Sequence, residues 1–261
     1  MALVMGVVNV TPDSFSDGGR WLDPELAVAH GLSLFDEGAH VVDVGGESTR
    51  PGAVPVSEDE ERRRVLPVVS ALAAAGRGRV SIDTRHPGVA EAAIDAGATL
   101  VNDVSASADV WRVAASAGAG VGYAAMHMRG TPPTMQDDPQ YDDVVGEVCS
   151  FLVDRAAAAR EAGVEEVWID PGIGFGKTAA HNLSLLRHLG VLVETGHPVL
   201  VGTSRKGFLQ RLVGSAGPDD VLEGSVATAV VAMAAGVAMV RVHDVAATVQ
   251  AARIVAEPVA S

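Results

Sequence analysis

Val80-Ser81-Ile82-Asp83-Thr84-Arg85 opens the unit, residues 80–103, whose reading decides the fold. An apolar run ends in polar residues, Pro87–Ala96 reads as an Ala-rich amphipathic helix, and Gly97 closes it. Leu100-Val101-Asn102-Asp103 then starts the next unit. A short continuous apolar run is what a parallel strand buried on both faces requires. A glycine just past a periodic stretch is a helix stop.

The same unit recurs along the chain. Apolar runs lie at Leu3–Val8, Val41–Val44, Val80–Ile82, Leu100–Val101, Val121–Ala125, Val167–Ile169, Val199–Val201 and Ala238–Val242. Helical stretches follow at Pro24–Glu37, Ser57–Ala75, Pro87–Ala96, Val110–Ala117, Asp142–Ala162 and His181–Leu189. A pair runs from Gly207 to Ala235, and Val245–Ala256 is last. Eight strands alternating with helices in 261 residues predict an α/β fold. Its form is a single (β/α)8 TIM barrel over residues 1–261, with long loops after strands 1 and 2. A doubly wound open sheet is the alternative. It is disfavoured because eight uninterrupted units close naturally, and because the first turn lacks the glycine spacing of a dinucleotide site.

Composition narrows the function. The chain is 48% apolar, which excludes disorder, and its formal charge of −14 argues against nucleic-acid or membrane-surface binding. It does not exclude an anionic substrate held by a few local cations. Cys149 is the single cysteine, so no intrachain disulfide forms and a cytoplasmic location is expected. No targeting segment is visible, and the longest uncharged apolar run, Val226–Val240, is shorter than a membrane span. The basic residues are almost all arginine; only Lys177 and Lys206 are lysine. Lysine and arginine are not interchangeable at a tight site, which draws attention to both.

The unusual residues stand just after the strands. They include Asn9 to Gly19, Gly45 to Gly52, Asp83-Thr84-Arg85, Asn102-Asp103 and Met126-His127-Met128. Beyond these come Asp170 to Lys177, Gly202 to Lys206 and Arg241-Val242-His243-Asp244. Ordinary strand-to-helix turns and caps explain some of them, Asp244 and Asp109 among these. They do not explain why Asp, Asn, Lys, Arg and His collect at one end of every strand, where barrel active sites lie. Asp83, Asn102 and Asp170 suit the N–H and C=O edge of a flat heterocycle. Arg50, Arg241 and His243 suit phosphoryl oxygens, and Asn9 with Asp17 suits a hard cation such as Mg²⁺. The loops after strands 1 and 2 read as lids that exclude water.

Taken together, these segments resemble the dihydropteroate synthases, pterin-binding enzymes of folate biosynthesis, over essentially the whole chain. The most specific pieces are Asn9–Gly19, Gly45–Gly52, Asp170–Lys177, Ser204-Arg205-Lys206 and Arg241-Val242-His243. The resemblance implies a transferase that condenses 7,8-dihydropterin-6-ylmethyl diphosphate with 4-aminobenzoate, with Mg²⁺, releasing diphosphate. By matching positions it implies pterin contacts from Asp83, Asn102, Met126, Asp170, Gly202 and Lys206. Asn9, Thr49, Arg50, Arg241 and His243 would hold diphosphate, with Asn9 also on the metal. Thr49, Pro51, Phe175, Ser204 and Lys206 would border 4-aminobenzoate. Phe15 and Asp17 would belong to the first lid. Asp83, Lys206, Asp17 and Arg50 would carry the catalysis.

Members of this family usually have residues ahead of the first strand that cover the barrel floor. Here the strand begins near Met1, so either the floor is open or the start lies upstream. No Phe-Gly insertion interrupts the second loop, so sulfonamide sensitivity is expected. Two other readings remain: a pterin-binding methyltransferase module, and a non-catalytic pterin-binding paralogue.

Other residues have plainer readings. Cys149 is expected to be buried, and the charge run Glu58–Arg64 to be a solvated helix face. His30, His40, His86, His188 and His197 are placed away from the rim. His127 is left between packing and indirect support of the site, and Lys177 is read as tying its loop. Residues Val226–Ala235 are apolar all round, which predicts a homodimer.

Overall fold

Leu3–Asn9 forms β1, central and buried, and each later apolar run takes its place beside a neighbour in chain order. The computed structural model describes residues 1–11, 23–49, 53–214 and 217–257. The remaining strands are β2 (Val41–Gly45), β3 (Arg79–Asp83), β4 (Leu100–Asp103), β5 (Gly122–Met126), β6 (Glu166–Asp170), β7 (Leu200–Val201) and β8 (Met239–Val242). The helices are α1 (Pro24–Asp36), α2 (Glu58–Ala75), α3 (Pro87–Asp95), α4 (Ala108–Ala117), α5 (Val144–Glu161), α6 (Ala179–Arg187), α7 (Leu189–Val193), α8 (Gly207–Val213), α9 (Leu222–Ala234) and α10 (Val245–Ala256). All eight predicted strands are present. The expected helix at 181–189 is two helices, α6 and α7, meeting at His188.

The sheet is parallel throughout, in the order β6-β5-β4-β3-β2-β1-β8-β7. A single bridge, Ile169 to Val199, with Ile169 N–H donating to the Pro198 carbonyl at 3.1 Å, closes the seam between β6 and β7. The fold is a (β/α)8 barrel. Pro198 at the start of β7 has no N–H to give, which keeps that strand short.

Local sequence sets the helix ends. Ser57 accepts from Glu60 N–H at the start of α2, whose first turn is acidic, and Gly76 ends it with a left-handed φ of 63°. Both features suit a helix dipole and its unsatisfied groups. Asp244 does not cap α10, contrary to expectation. Its carboxylate pairs instead with Arg205 at 2.7 Å.

Alternation along the strands sorts side chains between two cores. One face packs under the helices. The other fills the barrel with Met5, Val41, Leu100, Ala124, Trp168, Leu200 and Met239. At the strand N-termini Arg79 makes two bonds to Glu166, at 2.8 and 3.0 Å, and donates to the Thr99 carbonyl at 2.8 Å. Trp168 Nε1 donates to the same carboxylate at 2.6 Å. The floor is therefore packed by the barrel's own side chains.

Candidate active site

Period-2 alternation also fixes what stands at the top of the barrel. In register, Asn9 lies beside Gly45, Gly45 beside Asp83, Asp83 beside Asn102, and Met126 beside Asp170. The strand ends open into a cavity of about 780 Å³. Its lining brings together Asn9, Thr49, Asp83, Gly202, Lys206 and Arg241, with Phe175, Ser204 and His243 around the mouth. Asn102, Met126 and Asp170 are buried beside them at 4%, 4% and 6% exposure. Among the described residues, these members of the expected site set lie together at one end of the barrel.

At the bottom of the mouth is a charge network that the sequence did not disclose. Asp43, fully buried within β2, accepts from Arg241 Nε at 2.7 Å and from Asn102 Nδ2 at 3.0 Å, both on Oδ2. The Arg241 guanidinium reaches on to Asp83 Oδ2 at 2.8 Å. One half-buried cation thus lies between a buried carboxylate, Asp43, and a half-buried one, Asp83. Burial pushes the Asp83 carboxyl up to about 7; Arg241 opposes the rise, and the charges of Asp43 and Glu61 add to it. Burial also raises Asp170, whose Oδ1 accepts from Gly172 N–H at 2.7 Å. Removing one partner from a buried pair of this kind costs about 3–5 kcal/mol, because the other charge is stranded.

The β6 and β7 loops build the outer wall. Lys206 Nζ sits 4.1 Å from the centre of the Phe175 ring, a cation–π contact. Arg205 takes a left-handed φ of 56°, and its guanidinium turns to Asp244 while Ser204 and Lys206 serve the mouth. A non-glycine residue in this region is held there by its surroundings, and such strain clusters at working sites. Arg205 N–H is held by Ser225 Oγ at 3.0 Å. His243 N–H donates to Ser204 Oγ at 3.1 Å, and its Nδ1 lies the same distance from that oxygen. This ties the β8 end to the β7 loop.

A second layer stands behind the loop after β2. Glu47 pairs with Arg85 through two bonds, at 2.8 and 3.0 Å, and accepts from Val56 N–H at 3.2 Å, so it fastens that loop on both sides of its tip. Glu61 on α2 is fully buried and its Oε2 meets His86 Nδ1 at 2.7 Å. Burial raises its carboxyl. Two expectations are corrected here. Glu61 lies on the buried stripe of α2 with Val65, Val68 and Leu72, so the run 58–64 is not wholly a solvated face. His86 follows β3 and is on the rim side, not away from it.

Other placements differ from expectation or refine it. Asp103 is a structural anchor: it accepts from Ser105, Ser107 and Tyr123 and is fully buried. Cys149 is only half-buried, and burial raises its thiol. His127 accepts from Lys177 and packs edge-on against Phe151, which is indirect support and packing at once. Phe15, Asp17, Arg50 and Pro51 lie outside the described residues.

For a hard cation, the Asn9 amide oxygen is the protein donor in view. Among the described residues no group of three His, Cys, Asp or Glu side chains converges to cage a metal. Mg²⁺ is commonly held by one or two protein oxygens, with water and substrate phosphates completing its shell. Asn9 at the lip of the cavity fits that kind of site.

Comparison with known proteins agrees with this geometry. The family of pterin binding enzymes matches residues 5–243. The chain is 50% identical to a dihydropteroate synthase of Mycobacterium leprae, covering 97% of this chain and 92% of that one. It is 44% identical to the Escherichia coli dihydropteroate synthase, covering 97% and 90%. Among solved structures, Yersinia pestis dihydropteroate synthase with a sulfonamide drug complex aligns with a TM-score of 0.93 at 43% identity, over 97% and 93% of the two chains. Xanthomonas albilineans dihydropteroate synthase in complex with 7,8-dihydropteroate aligns at 0.86 and 45% identity, over 98% and 95%. The chain belongs to the pterin-binding enzyme family, and within it to the dihydropteroate synthases.

Proposed function

We propose that this chain, one barrel domain over residues 1–261, joins 7,8-dihydropterin-6-ylmethyl diphosphate to 4-aminobenzoate, giving 7,8-dihydropteroate and diphosphate. The observation that carries the reading is the single mouth where half-buried Asp83 and buried Asn102 and Asp170 stand beside Lys206, Arg241 and His243. The first three match the polar edge of a flat ring, and the cations match an anionic leaving group. A misfit ring would leave buried groups unpaired at about 1–3 kcal/mol each, which gives selectivity.

The chemistry then asks little covalent work of the protein. The C–O bond to diphosphate breaks, and its electron pair departs with the leaving group. The arylamine nitrogen forms the new C–N bond and loses a proton. Asp83, when ionised, faces the cation that develops on the ring. Arg50, Thr49, Arg241 and His243 spread the charge of the departing diphosphate. Phe175, Pro51 and Ser204 hold the arylamine in line, with Lys206 between the two sites. Mg²⁺, held through Asn9, supplies further charge neutralisation when bound. To Phe15 and Asp17 we assign, from the family resemblance alone, the exclusion of water that would compete for the cation.

Two further parts of the reading concern the chain's surroundings. Val231 on α9 and Ile254 on α10 are exposed at 48% and 78%, on two helices that pack together. A second copy covering this face makes a homodimer. Among the described residues no helix is long and apolar enough to cross a membrane. With one cysteine and no basic field, the enzyme works in the cytoplasm on small molecules.

Incubation with both substrates and Mg²⁺ tests the activity. Diphosphate and dihydropteroate should form in equal amounts, and only when both substrates are present. Tight binding of methyltetrahydrofolate with no diphosphate formed would point to the methyltransferase module. Pterin binding without turnover would point to the paralogue.

A further inference from the structure

Lys177 is a buried titratable side chain near the site that the mechanism above leaves unused. It is 1% exposed. Its Nζ lies within hydrogen-bond reach of four acceptors: His127 Nδ1 at 2.9 Å, the Gly172 and Phe175 carbonyls at 3.0 Å each, and the His127 carbonyl at 3.2 Å. Burial pushes this group down to about 7; in its ammonium form, held below that pH, it has three protons, every one with a partner and one shared. The bond to Nδ1 requires the neutral imidazole that accepts there and keeps its proton on Nε2. Burial and the Lys177 charge push His127 down to about 3, which agrees with a neutral ring.

The loop around this ammonium can exist only as it is drawn. Gly172 and Gly176 have left-handed φ of 63° and 61°, and a Cβ on either would collide with the carbonyl of His127 or Arg129. Asn182, fully buried on α6, accepts from Gly174 N–H at 2.8 Å, and the Tyr141 hydroxyl donates to the Gly176 carbonyl at 2.9 Å. Residues 171–177 therefore wrap their own lysine, with carbonyls turned inward as they would be around a monovalent cation. On the other side of this ring Phe175 faces Lys206. The two lysines of the chain thus stand on opposite sides of one loop.

We propose that Lys177 is a positioning residue for the arylamine half of the site. Its ammonium fills a cage of three carbonyls and one imidazole, and so fixes Phe175. The emptied cage accepts a small free cation bearing N–H groups. The inference rests on the reading of Phe175 as a wall of the 4-aminobenzoate site. Arginine cannot replace this lysine, because a planar fork does not fit converging acceptors around a point charge.

Three variants of the full chain test it, read by steady-state kinetics in each substrate and by thermal melting. Lys177→Met keeps the stem and removes the donors. It should raise KM for 4-aminobenzoate about tenfold and leave KM for the pterin diphosphate within about twofold. In Lys177→Ala, methylammonium chloride should restore at least a third of the lost kcat/KM for 4-aminobenzoate and raise the melting temperature. Tetramethylammonium chloride at equal ionic strength, having no N–H, should do neither. Phe175→Ala should raise KM for 4-aminobenzoate by itself. If it does and Lys177→Met does not, or if Lys177→Met raises both KM values equally, the positioning role is overturned. The same holds if the two salts act alike on Lys177→Ala. If Phe175→Ala leaves 4-aminobenzoate untouched, the reading of the wall falls first and the inference with it. Should Lys177→Ala fail to fold, Lys177→Met still decides.

Discussion

Replacing Asp43 with Asn removes one charge from the barrel and little else. Both hydrogen bonds to Asp43 fall on Oδ2, while Oδ1 has no partner. An Asn whose carbonyl takes the place of Oδ2 keeps both bonds, so shape and connectivity survive. What changes is the field at Asp83. Two unit charges about 5 Å apart at an effective dielectric near 20 interact by about 3 kcal/mol. Even a fraction of that, at about 1.4 kcal/mol per pH unit, moves the titration of Asp83 toward acid. With the Asp83 carboxyl at about 7, only about a tenth of the parent enzyme carries the ionised form at pH 6. If ionised Asp83 stabilises the ring cation, kcat/KM for the pterin diphosphate at pH 6 should be about a tenth of its pH 8 value. In Asp43→Asn that ratio should rise to about a half or more. The ratio is insensitive to any loss in the plateau, and the substrate's own phosphate titration is common to both enzymes. The sign for stability agrees. A carboxyl raised from 3.8 to about 7 binds more protons in the native state across that window, so its contribution is full at low pH and is lost as pH rises through about 7. The melting temperature of the parent should therefore fall over this range more than that of the variant. An unchanged or smaller rate ratio in Asp43→Asn, with the protein folded, would refute the assignment of the acid limb to Asp83 under the charge of Asp43.

Three other changes probe separate parts of the molecule. Lys206→Ala should lower kcat/KM at least 10²-fold while leaving the melting curve within a few degrees, the expected loss of a group acting on the transition state; full activity would end its catalytic assignment. Arg79→Ala opens the floor pair, whose side chains are 33% and 36% exposed, so the cost is about 1–2 kcal/mol and the melting temperature drops by roughly 2–4 °C with kinetics unaltered. A kinetic effect there would show that floor and mouth are coupled. Val231→Glu places a charge on the exposed face of α9 and should convert the proposed dimer to monomer in light scattering; an unchanged mass means that another face pairs, or none.

Legibility in the sequence followed periodicity. The strands were readable because most are short, largely apolar runs, and the rim because polar residues follow every run at the same point. Asp43 was hidden inside such a run, Val41-Val42-Asp43-Val44, although alternation puts it on the same face as Gly45 and hence inside the barrel. Glu61 was masked by the acidic first turn of α2, where carboxylates are ordinary; its spacing from Val65 and Val68 was the clue. His86 was misplaced because the turn after β3 is short and its partner, Glu61, is 25 residues away. Pairings such as Glu47 with Arg85 and Arg205 with Asp244 join separate loops, and no local pattern encodes them. Arg241 was read as a phosphate ligand from its type; that its guanidinium also spans Asp43 and Asp83 is visible only in three dimensions.

A crystal structure of the protein grown with dihydropteroate, diphosphate and Mg²⁺ puts the shared mouth to the most direct trial. The pterin ring should contact Asp83, Asn102 and Asp170, the aryl ring should lie against Phe175, and diphosphate should sit toward Asn9 and His243. Product bound on any other face, or a ring turned away from Asp83 and Asp170, would contradict the account.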